Sequence, residues 1–416
     1  MTRKSLRYLS KAAGTHDWGE AVELADIGGE VSIVGVGETA FTGASNRDNK
    51  AMALEAIEVA LKDAGIAPHE VDGLMVSFGI AKQLEPQDYH DHFGTTQEIW
   101  FSDQGGAMIW AATCTHDAAM AIRARKASVI VNVFAVDWAT ARQNGSASPG
   151  DWHASEALKS ALEMPYGWYP QPLYFATFMR RHMHEFGTTE EQLATIPVTF
   201  RQHASTHPGA KLREKAMSTE DYLEQPMIAD PFRVADCCLI SDGAGAFVMT
   251  STPRARDCAR PPVVVAGVGR GVIDGAPYIS QQKQLTATPQ TFSAPWAFAM
   301  ADITPRDIDV IGVYDCFSGT ALMQIEDMGF CGKGAGGEYV AEGNLHFQRT
   351  RLQGGIPCNT HGGLLSHAYV LGISHVIELV RQLRGEAANQ VVGAEVAAYA
   401  GFTAEEASTL VLRCDA

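Results

Sequence analysis

Residues 49–64 carry Leu54, Ile57 and Leu61 at i, i+3 and i+7, an apolar stripe of helical period, and Gly65 follows as a terminator. Residues 71–77 then read as a strand. The alanine-rich stretch 105–124 predicts a buried helix. Residues 128–136 (SVIVNVFAV) form an apolar run of the kind required by a sheet covered on both faces. An earlier strand is predicted at 31–40 (VSIVGVGETA). The second part of the chain predicts strands at 242–251, 263–272 and 310–314, then helices near 319–328 and 370–384.

The pattern repeats. G-V-G follows an apolar run at 35–37 and again at 267–269, an offset of 232. GIAPHEVDGLMV (65–76) returns as DITPRDIDVIGV (302–313). There Ile66, Pro68, Asp72 and Val76 match Ile303, Pro305, Asp309 and Val313 at an offset of 237. Two matches in the same order indicate an internal duplication of α/β halves. The expected organisation is an N-terminal extension over 1–30, a first half over 31–136 and 233–255, and a second half over 261–416. The polar and aromatic residues 137–232 read as an inserted helical loop domain. A capping-box start for one of its helices is placed at Thr188 to Glu191.

Composition adds constraints. The 416 residues are 46% apolar and 19% charged, an ordinary globular mixture with ample core. The formal net charge of -16 argues against a nucleic-acid partner, which needs a basic surface. Eight cysteines (114, 237, 238, 258, 316, 331, 358 and 414) contain no C-x-x-C pair and read as reduced thiols of a cytoplasmic protein. No apolar run reaches membrane-spanning length. The basic first twenty residues lack a hydrophobic segment and read as a surface arm, not a secretory signal.

Several motifs invite chemistry and have plainer readings. GVGETA fits a dinucleotide fingerprint, but the next helix begins near residue 49, too late to face a pyrophosphate. Its repetition as GVGRGV points to strand packing. Tyr166, Trp168, Tyr169, Tyr174, Phe175 and Phe178 are read as core of the inserted segment, with a pocket lining as the alternative. His182 and His184, two apart on a helix, face different directions and read as surface residues, not a metal pair. Cys114 falls in mid-helix, away from the helix N-terminus that would activate a thiol, and reads as structural. The stretch NTHGGLLSHAYVLG (359–372) looks like an active-site loop running into a helix, without a nucleophile nearby.

The duplicated halves, the insertion and the motif order resemble the thiolase superfamily over nearly everything after residue 30. ADPFRVADCCLISDGAGAFV and HVIELVRQLRGEAANQV are similar to segments of its sterol-carrier and lipid-transfer type members. That resemblance implies a thiolase-like α/β fold, layered α-β-α-β-α. Laid on this chain, the nucleophilic cysteine of thiolases falls near Met108, and Cys114 lies about six residues too late. The N-E-A-F motif falls on Tyr314, Asp315, Cys316 and Phe317. The N-x-N-G-G motif falls on Asn359 to Gly363, and the histidine of G-H-P on Tyr369. The last cysteine motif falls near AAYAGFTAEE, which has none.

All three reactive positions of a thiolase are thus replaced. Tyrosines at the N-E-A-F and G-H-P positions resemble the thiolase-like aldolases of steroid side-chain degradation. The resemblance implies retro-aldol cleavage of the Cα–Cβ bond of a β-hydroxyacyl-CoA, with Tyr314 and Tyr369 transferring protons. One of the two phenols would need its pKa lowered by hydrogen bonds or positive charge. Asn359, His361, His367 and Gly363 are expected near the thioester oxygen. It further implies no bound cofactor or metal, CoA only as part of the substrate, and a homodimer core. A small OB-fold, zinc-binding partner subunit would complete a heterotetramer. The alternatives are an acyltransferase with a displaced nucleophile, or a non-catalytic acyl-CoA-binding scaffold.

Overall fold

The computed structural model describes residues 15–77, 84–146, 159–168, 171–274 and 281–415; Tyr169 and the first fourteen residues lie outside them. Nine strands make the main path of one sheet: β1 (Val31–Glu38), β2 (Gly73–Ser77), β3 (Trp100–Gly105), β4 (Val129–Asp137), β5 (Asp242–Ser251), β6 (Val263–Ile273), β7 (Val310–Val313), β8 (Val396–Phe402) and β9 (Glu406–Cys414). Their order is β7-β8-β9-β6-β1-β5-β4-β2-β3. Seven helices matter below: α1 (Asn49–Ala64), α2 (Trp110–Arg123), α3 (Gln171–Phe186), α4 (Glu190–Thr206), α5 (Gln290–Ala301), α6 (Ser318–Asp327) and α7 (Ile373–Arg384).

The pairing repeats within the sheet. β1 runs antiparallel to β5, β5 antiparallel to β4, and β4 parallel to β2. In the second half β6 runs antiparallel to β9, β9 antiparallel to β8, and β8 parallel to β7. The two halves meet where β6 pairs with β1 over only Val263↔Ile33 and Val264↔Ser32. Even the irregularities correspond. The register of β1 shifts between Ile33 and Gly35, and that of β6 between Val265 and Gly267.

The repeated glycines have a packing reason. A Cβ on Gly35 or Gly37 would collide with the backbone of Ala60 or Ala56 in α1. On Gly267 or Gly269 it would collide with Ala297 or Ser293 in α5. Close helix–sheet contact, not phosphate binding, explains the G-V-G motifs. Helix α1 starts at Asp48, whose side chain accepts from the Lys50 N–H, and ends at Gly65 with φ 70°, as its stripe predicts.

Four local expectations change. The predicted helix 105–124 begins five residues later, at Trp110, and an unpredicted strand, β3, ends at Gly105 before it. The capping box of α4 lies one residue later than placed, with Thr189 accepting from Gln192 N–H. Residues Thr15–His16 and Gly19–Val22 are strands, and the latter pairs with β6, so this part of the terminal arm extends the sheet. His182 is buried, not on the surface. Its Nε2 lies 3.1 Å from both Glu326 carboxylate oxygens, and Thr188 Oγ1 lies 3.1 Å from its Nδ1. His184 is exposed, so the two do face opposite ways. Glu326 also accepts from the Gly334 and Gly336 N–H groups, tying α3 to α6 and the following glycine-rich segment.

The aromatic residues of α3 are mostly core. Tyr174, Phe175 and Phe178 are buried, and Phe175 stacks on Phe317 with centroids 4.9 Å apart. Tyr166 stands out in solvent, 85% exposed, and Trp168 packs edge-on against Tyr174. Phe317 belongs to the Tyr314–Phe317 loop, so α3 buttresses that loop from behind.

Candidate active site

Strand β7 ends at Val313, and Tyr314 continues its pairing by donating its N–H to Ala400 O. The chain then turns through Asp315, Cys316 and Phe317 into α6. Extended backbone alternates its side chains. Tyr314 and Cys316 therefore face one way and Asp315 the other. The second loop, 359–372, passes through a helical turn (Gly363–Ser366) and reaches α7 only after Gly372, whose φ of 89° sets the start of that helix at Ile373.

Asp315 locks the two loops together. Its carboxylate accepts from the Leu364 N–H at 2.9 Å, the Leu365 N–H at 3.3 Å and His375 Nε2 at 2.9 Å. Gly363, with φ 62°, passes so close that a Cβ there would collide with this carboxylate. Glycine is required on both counts. Asn359 brackets β7: its Oδ1 accepts from the Val313 N–H at 2.9 Å and its Nδ2 donates to Val313 O at 3.0 Å. Its own carbonyl accepts from His203 Nδ1 of α4 at 3.2 Å. Asn359 and Gly363 thus hold the frame of the site.

This frame brings the two phenols together. The hydroxyl oxygens of Tyr314 and Tyr369 are 3.1 Å apart. Tyr314 is 3% exposed, and Tyr369 is the less buried of the two. Ser241 Oγ accepts its backbone N–H at 2.7 Å, and the Trp138 ring lies against its ring at 4.9 Å. The thiols of Cys238 and Cys316 lie near both phenols and act on them electrostatically. Burial is the main cause that pushes both phenols well above the ordinary tyrosine range. The neighbouring phenol and thiols add to it for Tyr314; for Tyr369 the thiols add, while the hydrogen bond from Tyr314 works the other way. Of the hydrogen bonds or positive charge expected to lower one of them, the hydrogen bond from Tyr314 acts on Tyr369. The favourable influence is the partner hydroxyl.

The two histidines of the loop go elsewhere. His361 rings against His367 and His375, each at 4.9 Å, and His367 rings against Phe41 and His207. Neither has a ring contact to the tyrosines among the described residues. His367 instead lines a separate cavity of ≈ 730 Å³ with Glu38, His207, Lys211 and Arg381. Burial holds both imidazoles neutral, well below the usual histidine range. Of the six residues expected at the site, the structure therefore pairs Tyr314 with Tyr369, uses Asn359 and Gly363 as framework, and turns His361 and His367 away.

The stretch near Met108, where the resemblance lays the thiolase nucleophile, forms a tight turn. Met108 has a left-handed φ of 57° just before α2, and its carbonyl accepts from Tyr399 OH at 2.8 Å. Asn132, inside the apolar run of β4, braces this turn from below, exchanging hydrogen bonds with Gly106 N–H and O. Cys114 lies inside α2, fully buried, with its thiol pushed up by burial. Reading from sequence passed over Trp138 and Cys238, which come from the end of β4 and from the approach to β5. The bordering role of Cys316 was visible in principle, since it alternates with Tyr314.

Known proteins resemble the chain along nearly its whole length. The Thiolase C-terminal domain-like family matches residues 272–413. A steroid side-chain-cleaving aldolase of Thermomonospora curvata is 33% identical over 368 residues, covering 87% of this chain and 92% of its own. The 17-hydroxy-3-oxo-4-pregnene-20-carboxyl-CoA lyase of Mycobacterium tuberculosis is 33% identical over 394 residues, covering 93% and 100%. Among solved structures, the Ltp2-ChsH2(DUF35) aldolase superposes with a TM-score of 0.84 at 30% identity, covering 94% of this chain and 99% of that one. Human mitochondrial 3-ketoacyl-CoA thiolase, at a TM-score of 0.65 and 13% identity, shares the fold. With its thiolase-like sheet, its tyrosine pair and relatives of this kind along nearly its whole length, the chain belongs to the thiolase superfamily, in the group of thiolase-fold aldolases.

Proposed function

We propose that this protein is a carbon–carbon lyase that cleaves the Cα–Cβ bond of a β-hydroxyacyl-CoA by retro-aldol chemistry. The observation that carries the reading is the pair of phenol oxygens 3.1 Å apart on a locked frame. Tyr369, the less buried phenol, takes the proton of the substrate hydroxyl. Tyr314 donates a hydrogen bond to the phenolate so formed. The Cα–Cβ bond breaks, a carbonyl product leaves, and the electron pair becomes a thioester enolate. That enolate takes a proton back at Cα, so no net proton is consumed. A thiolase mechanism needs an acylated nucleophile. By the resemblance the thioether of Met108 falls near that place, and Cys114 is fully buried inside α2 with its thiol pushed up.

The names of the relatives favour a bulky steroid side chain as the acyl group. The half-exposed edge strand β3, with Phe101 on the surface, supports a homodimer through sheet extension. The solved aldolase named with two components supports a small second subunit, by resemblance an OB-fold, zinc-binding one giving a heterotetramer. The direct test incubates the protein, co-expressed with that subunit, with a panel of β-hydroxyacyl-CoA thioesters. Mass spectrometry should find a carbonyl product and a shortened CoA thioester in equal amounts. Acyl transfer to free CoA instead would overturn the reading.

A further inference from the structure

Cys237 lies opposite Phe317 in an isolated antiparallel bridge, so the register sets Cys238 opposite Cys316, and the Cys238 N–H donates to Cys316 O at 3.0 Å. Directly opposed residues of an antiparallel pair have Cα atoms roughly 4.5–5.5 Å apart. That lies inside the roughly 4.4–6.8 Å which a disulfide spans. Side chains at such positions leave the same face of the pair, here the face of the tyrosines. The proton transfers proposed above use neither thiol. Cys237 points away, with its thiol 3.5 Å from Arg233 O.

We propose that Cys238 and Cys316 are a dithiol that closes into a disulfide in the folded protein, an oxidative modification site in the wall of the tyrosine pair, with a peroxide as oxidant. The half-exposed Cys238 reacts first. Its thiolate attacks one peroxide oxygen, the O–O bond breaks, and hydroxide leaves and takes up the thiol's proton as water. The sulfenic acid on Cys238 is then attacked by the Cys316 sulfur. The S–S bond forms, the S–O bond breaks, and a second water leaves with the Cys316 proton. Two thiols are oxidised and one peroxide is reduced to two waters.

Burial sets the rate. It pushes the Cys316 thiol up to about 12 and that of Cys238 well above its ordinary value. Asp315 and Cys237, although turned the other way, lie near enough to raise both thiols further. The pair therefore stays reduced under mild conditions and closes only under sustained peroxide. Closure removes the Cys238 thiol that lies near Tyr369. The consequence for turnover rests on the aldolase reading; the closure itself does not.

The test treats the whole protein with hydrogen peroxide, blocks remaining thiols with N-ethylmaleimide, and maps peptides without reduction. The expected result is a mass loss of about 2 Da with a Cys238–Cys316 cross-link, reversed by dithiothreitol. Turnover should fall at least about tenfold in parallel and return on reduction. C238S should keep its near-UV circular dichroism and form no cross-link. A Cys237–Cys238 link, or Cys238 and Cys316 both still alkylatable after the other thiols have oxidised, would overturn the proposal. Since the mapping reads mass alone, its failure leaves the aldolase reading standing, and absence of lyase activity leaves the dithiol standing.

Discussion

The segment 359–372 has two faces that differ in kind. One carries Tyr369, half-buried and paired with Tyr314 beside two thiols. The other carries His361 and His367, buried and neutral; both ring nitrogens of His361 and Nδ1 of His367 find no hydrogen-bond partner among the described residues. A polar group that is buried without a partner costs about 1–3 kcal/mol. The difference teaches that reactive-looking side chains on one loop are sorted by which way the backbone turns them. The positive φ values at Asn359, Gly362 and Gly363 do the turning. A proton can move between the phenols and substrate; the histidine face offers fold stability that depends on pH.

The sharpest way to break this comparison is Y369F, which keeps the ring against Trp138 and removes the hydroxyl. Turnover should fall by about 10²–10⁴-fold while the melting temperature hardly moves. Full activity in a thioester-cleavage assay would return the chemistry to the histidine face. Next comes Y314F. It removes the hydrogen bond that lowers the Tyr369 pKa, so the rise of activity with pH should move to higher pH. A hydrogen bond to a charged group is worth about 1.5–3 kcal/mol, or roughly a 10–100-fold loss in kcat.

The histidine face should appear in acid. Burial depresses His203 to about 3 and His207 to about 4, and holds His361 and His367 well below the usual range. Their folded values lie below their unfolded ones, so the unfolded chain binds more protons as pH falls. The stability they contribute is complete above about pH 6.5 and is lost as pH falls towards the folded values. Each contributes a loss of up to about 1.4 kcal/mol per pH unit in that window. Urea unfolding midpoints from pH 7 down to 4.5 should fall steeply. H361L should flatten that fall and change turnover less than about threefold. A midpoint independent of pH would refute the assignment of neutral, buried imidazoles. The smallest effect is expected from C114A. Activity should persist, with a loss of about 1 kcal/mol for the small cavity left in α2.

Much of the fold could be read from residues that have strong local reasons. The stripe and cap of α1 and the G-V-G bulges were legible because helical period and glycine each have a single economical explanation here. Strand β3 was not, since its WFSDQG is an edge strand whose outer positions are polar, and the alanines beyond it extended the helical pattern backwards. His182 was misplaced because spacing gives a direction around a helix but not which direction is covered; Glu326, 144 residues away, decides it. In the site, Tyr314 and Tyr369 could be paired only by registering the chain on a family pattern. Nothing local links positions 55 apart. Cys238 stayed unnoticed for the same reason, its meaning arising from a cross-strand register.

The four glycines that hold α1 and α5 against the sheet set a gauge. Each leaves room for a helix backbone where any side chain would act as a shim. The two halves have since acquired different loops, charges and chemistry, yet both keep the same clearance between layer and layer. What the ancestral repeat has preserved most faithfully is a thickness, recorded at positions where there is no side chain to change.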